Sequence, residues 1–170
     1  MPTGLATPTP DAIRPDDPGG FLAAFAAHRL AGNKETALAA ASEACHRSPH
    51  LATPHYAYGE AWLALGEPAR AEQAFAAALG IAPGWADAWI NYGLTRYRQG
   101  AIEDAKTAMR QALLHAPDHP AATANLGAFL RITGGSDAAE ALLRGAIDAG
   151  YGRPSRSGFA AFFLKADERR

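Results

Sequence analysis

The chain has 170 residues, 48% of them hydrophobic and 19% charged, with a formal net charge of -1. This composition fits one globular domain and excludes a global electrostatic attraction to nucleic acid or to an anionic membrane. No apolar run reaches the length of a membrane span, and the polar, Pro-rich start is unlike a secretion signal.

Residues 1–17, rich in Pro, Thr and Asp and without a helical period, are expected to be a disordered lead-in. Asp17 followed by Pro18 reads as a helix N-cap with proline in the first helical position. Gly32 then stops this helix, Asn33 is placed to cap the next, and Pro49 closes the pair. Thr53-Pro54 starts a third helix, Gly66 ends it, Pro68 opens a fourth, and Pro83 follows that one. From Trp89 to Pro117 the same order recurs, with Gly100 between two helices and Trp85 offered as a hydrophobic staple for Trp89. A last pair follows Pro120, with Gly135-Ser136-Asp137 as turn and cap. The segment GYGRPSRSG leads into a final helix on which Phe159, Phe162 and Phe163 form one apolar stripe.

These pairs repeat in phase. In units of 34 beginning at Pro18, Ala52, Ala86 and Pro120, position 15 is Gly32, Gly66, Gly100 and Gly134. Position 20 is Ala37, Ala71, Ala105 and Ala139, and position 27 is Ala44, Ala78, Ala112 and Ala146. The glycine column fits a helix end in the left-handed conformation. The alanine columns fit a seam where two antiparallel helices approach closely. Position 8 is Gly59, Gly93 and Gly127, paired with a large residue at position 24: Phe75, Met109 and Leu143. The first unit inverts this pair to Phe25 and Ala41, which conserves volume. Other departures include His55 and Thr123 where Trp89 occupies position 4, and Arg96 where Trp62 occupies position 11.

With these columns the sequence resembles the tetratricopeptide repeat (TPR) family. The resemblance implies an all-α fold, a right-handed superhelix of four helix-turn-helix repeats (18–51, 52–85, 86–119 and 120–151). Residues 152–170 would supply a capping helix that folds back to leave a monomer. It also implies a non-catalytic interaction module, an adaptor that holds a peptide or partner surface in its concave groove. Two alternatives stand beside that reading. One is a scaffold that homodimerises through the Phe-rich helix. The other is a stand-alone relative of the repeat arrays that accompany glycosyltransferase or sulfotransferase domains.

No chemistry of catalysis is legible. His46 and His50 are separated by Pro49, and His115 and His119 by Pro117, so neither pair shares a helix face. There is no HExxH, and Cys45 stands alone, so no metal, cofactor or disulfide is expected. The lone cysteine suits a reducing, cytoplasmic setting. Among groove positions implied by the resemblance, the expected partner-binding residues are Arg29, Tyr56, Glu60, Asn91, Leu94, Tyr97, Arg98, Asn125 and Arg131. Asn91 and Asn125 suit a peptide backbone, tyrosines offer flat amphipathic contacts, and arginines suit carboxylates. The two-carboxylate clamp of chaperone-tail receptors in this family is absent: its positions read Tyr56, Glu60, Asn91, Ala121 and Asn125 in the better frame.

Overall fold

A computed structural model describes residues 18–148. Eight helices follow one another: α1 (Pro18–Leu30), α2 (Lys34–Arg47), α3 (Ala52–Leu65), α4 (Pro68–Ile81), α5 (Ala86–Arg98), α6 (Ile102–His115), α7 (Pro120–Ile132) and α8 (Ser136–Asp148). No strand occurs among the described residues. Asp17, the segment GYGRPSRSG and the stripe of Phe159, Phe162 and Phe163 with its capping helix lie outside them.

The odd-numbered helices all end in the same way. Gly32, Gly66, Gly100 and Gly134 have φ of 77°, 82°, 83° and 88°, the left-handed region where a side chain is strained. In that conformation two backbone donors turn back onto the helix. Gly66 N–H donates to the Leu63 carbonyl (3.1 Å) and Glu67 N–H to the Trp62 carbonyl (3.0 Å). The same two bonds recur from Gly32 and Asn33, from Gly100 and Ala101, and from Gly134 and Gly135. This pairing satisfies two helix-end carbonyls and delivers the chain directly into the next helix.

The second helices need no side-chain cap. The Asn33 carbonyl accepts from Ala37 N–H (3.0 Å), but the Asn33 side chain makes no cap bond. Asn33 thus holds the N-cap position without the expected side-chain cap, its carbonyl taking the first helical bond and also accepting the Thr36 hydroxyl at 3.0 Å. Gly135 has the equivalent place before α8, its carbonyl accepting from Ala139 N–H at 3.1 Å. Trp85 occupies the N-cap of α5 itself, not the position before it that a staple would use.

The helices group into two units, one within residues 1–83 and one within 84–170. In the first, α2 packs on α1 and α3, and α4 packs on α3. Phe25, Ala37, Ala41, Ala57 and Ala61 form one buried cluster, so the inverted pair Phe25 and Ala41 meets inside the core. Phe75 is fully buried against Gly59, where an added Cβ would lie 2.7 Å from its ring. In the second unit Ile90, Ala105, Met109, Ala112, Ala122, Leu126 and Phe129 form the core, with Trp89 packed beside it. Ala71, Ala105, Ala44, Ala78 and Ala112 are all 0% exposed, the close helix approach that the small columns require.

Candidate functional site

The expected binding residues fall on both units. In the first, Arg29 sits in the last turn of α1 and reaches Glu60 of α3, Nη1 to Oε1 at 3.9 Å. Tyr56, one turn before Glu60, presents its ring edge-on to Phe75, with centroids 5.6 Å apart at 63°. Two side chains assigned to a partner from sequence are therefore brought together, with opposite charges facing each other.

In the second unit α5 carries Asn91, Leu94, Tyr97 and Arg98, and α7 carries Asn125 and Arg131. Leu94 and Tyr97 lean on the core, where Tyr97 stacks on Phe129 at 4.9 Å and 25°. One face of the tyrosine ring thus belongs to the fold. Asn91 is half-buried, and its carbonyl accepts the Thr95 hydroxyl at 2.7 Å. Arg98 and Arg131 are exposed. Asp87, at the start of α5, pairs with His119 Nε2 at 3.1 Å.

Asn125 differs from the rest. It is 2% exposed, and its Oδ1 accepts no hydrogen bond among the described residues. A helical register gives the direction of a side chain but not its depth, so the sequence reading saw the amide and missed its burial.

Two of the histidines lie against backbone carbonyls. His46 Nδ1 lies 2.8 Å from the Ser42 carbonyl, and His55 Nε2 lies 2.9 Å from the Pro49 carbonyl. Among the described residues no group of three His, Cys, Asp or Glu is placed to hold a metal ion. Burial pushes the Cys45 thiol up to about 11 from its ordinary 9.0, which favours the neutral thiol. Among the described residues no helix is long and apolar enough to cross a membrane.

Sequence reasoning also missed a cleft of about 440 Å³ on the first unit, lined by residues of α3 and α4 that include Trp62 and Arg70. The available signal was the pairing of an aromatic and an arginine across the Gly66 turn.

The family profile for the tetratricopeptide repeat matches residues 22–85 and 86–154. The chain belongs to the tetratricopeptide-repeat family. This TPR chain finds no match among curated proteins. Its fold is similar to solved TPR structures. With MamA the TM-score is 0.72 at 20% identity, covering 79% of this chain and 78% of that one. With TTC0263, a thermophilic TPR protein of Thermus thermophilus, it is 0.71 at 22% identity, covering 79% and 75%. With YrrB, a TPR protein with an unusual peptide-binding site, it is 0.68 at 17% identity, covering 89% and 75%. At these identities the likeness establishes the fold. TPR proteins generally mediate protein–protein interaction.

Proposed function

We propose that this TPR chain is a non-catalytic cytoplasmic adaptor that binds a peptide segment of a partner protein. The binding face is formed by Asn91, Leu94, Tyr97, Arg98, Asn125 and Arg131 in the second unit. Arg29, Tyr56 and Glu60 are the candidate binding residues of the first unit, taken by itself. The observation that carries this reading is the Asn125 amide, 2% exposed with an unmatched oxygen. A buried acceptor without a donor costs about 1–3 kcal/mol. A chain that retains one gains when an incoming peptide N–H supplies the missing bond, after local opening lets the peptide in. Asn91 carries a second amide at the same repeat position, and in this reading Arg98 and Arg131 receive acidic side chains of the peptide.

Asn125→Leu tests this. The leucine is close in volume and lacks the unmatched oxygen, so the free protein should gain about 1–2 kcal/mol. Segments captured from lysate by the parent chain, resynthesised as peptides and titrated by calorimetry, should bind the variant about tenfold more weakly. A variant less stable than the parent, or one that binds the same peptides equally, would remove Asn125 from the site.

A further inference from the structure

His55, Tyr58 and Trp62 of α3 face Arg70 and Gln73 of α4 across the cleft of about 440 Å³. These are positions 4, 7, 11, 19 and 22 of the second repeat, none of them a groove position. The volume is within the range of small-molecule and short-peptide sites.

The walls are already in place. Tyr58 meets Trp62 edge-on, with centroids 5.6 Å apart at 68°. The Arg70 guanidinium lies over the Trp62 ring, 4.5 Å from its centre, a cation–π contact that holds it against the indole. His55 Nε2 must carry a proton to donate to the Pro49 carbonyl 2.9 Å away, and this holds the imidazole in one orientation.

Arg70 is oriented but unspent. Among the described residues it makes no ion pair or hydrogen bond, although Arg47 and Arg144 each hold a carboxylate on their own helix. The third repeat supplies the internal comparison. There positions 11 and 19 are Arg96 and Asp104, which form an ion pair, and Arg96 also donates to Gln99 at 3.0 Å. In the second repeat the same two positions hold Trp62 and Arg70, so the arginine rests on an indole and its N–H groups remain available. Among the described residues no Asp or Glu lines the cleft.

We propose that this cleft is a second recognition site, independent of the groove, for a peptide carboxylate flanked by an apolar side chain. Arg70 receives the carboxylate through the planar fork of its guanidinium. Tyr58 and Trp62 receive the neighbouring side chain. Gln73 presents an amide for the peptide backbone. The lining supplies one permanent positive charge, which matches a monoanionic carboxylate better than a dianionic phosphate.

The chain contains 3 tryptophans, so the ¹⁵N-labelled protein gives a readily assigned set of indole N–H signals. Trp62→Phe identifies the one that matters. N-acetyl-Phe-Ala with a free C-terminal carboxylate, the same dipeptide as carboxamide, and phenyl phosphate are titrated separately. The acid should shift the Trp62 indole and Gln73 amide signals saturably, at least about fivefold more tightly than the carboxamide. Arg70→Gln, which keeps the parent's thermal midpoint because the side chain is exposed, should erase that preference, and Arg70→Lys should restore it only in part. Asn125→Leu should leave the titration unchanged, so this test does not share the fate of the groove reading. The proposal is overturned by absence of a saturable shift, by equal binding of acid and carboxamide, by tighter binding of phenyl phosphate, or by a preference that survives Arg70→Gln.

Discussion

Gly59→Ala places two known effects in opposition, and the structure decides the sign. Alanine is the better helix former by about 0.8–1 kcal/mol, which favours the variant. The new Cβ, however, would stand 2.7 Å from Phe75 Cε1 and 2.8 Å from both Cδ1 and Cζ. Carbon atoms pack at about 3.5–4 Å, so the ring must retreat by close to 1 Å. It has little room to do so, being 0% exposed and held by the Tyr56 ring on another side. Overpacking costs about 1–3 kcal/mol, and a contact this short against a closed-in ring belongs to the upper part, about 2–3 kcal/mol, so the net loss should be about 1–2 kcal/mol. Phe75→Leu alone should cost a similar amount, by loss of packed ring atoms. Together the two substitutions should be less harmful than their sum by about 1 kcal/mol, because the smaller side chain yields the space that alanine needs. The first repeat already uses the reciprocal solution, with Phe25 and Ala41 at the same two positions inside one cluster. Urea unfolding of the four proteins, followed by far-UV circular dichroism, gives the cycle. Gly59→Ala as stable as the parent, or strictly additive losses, would refute the argument that the ring fixes the glycine.

Gly100→Val should destabilise by about 1–2 kcal/mol through backbone strain alone, since φ is 83° and nothing lies within 4 Å of the added Cβ. Gly100→Asn, which tolerates that conformation, should lose less; equal urea midpoints for parent and valine variant would contradict this. Cys45 should alkylate slowly at neutral pH and accelerate as pH rises through 9.0 to about 11, because only the thiolate reacts. Since burial favours the neutral thiol, its contribution to stability is fully present below 9.0 and is lost as pH approaches about 11. Rapid labelling at neutral pH, measured by intact mass, would show that the thiol is not shielded in this way.

The repeat was legible because its columns record backbone and packing constraints that few residues satisfy. Four glycines lie at φ between 77° and 88°, and Ala44, Ala71, Ala78, Ala105 and Ala112 of the seam are closed to solvent. The asparagine cap was misread for a related reason. The two hydrogen bonds of each glycine turn already carry the chain into the next helix, so the Asn33 side chain is not required to start it. Trp85 stands one place from a staple, a difference that a spacing of four residues cannot reveal. For the candidate site, register named the helix faces but not the partners across them. Arg29 and Glu60 are distant in sequence, and only packing of α1 near α3 brings them within 3.9 Å.

The turn itself explains why recognition chemistry can differ between repeats that share one fold. Positions 11 and 19 straddle the glycine, yet the bonds that form the turn use the carbonyls of positions 11 and 12 and the backbone N–H groups of positions 15 and 16. The side chains at positions 11 and 19 are therefore not needed to close the turn. One repeat spends them on the Arg96–Asp104 pair and another on the Trp62–Arg70 stack. A partly exposed ion pair of this kind is worth about 1 kcal/mol, so exchanging it for a cation–π contact changes stability little. It changes the surface far more, from a neutralised arginine to an oriented one. The columns that define the repeat are thus blind to this difference, and the residues that they leave unconstrained are where a TPR chain can acquire a second site without altering its architecture.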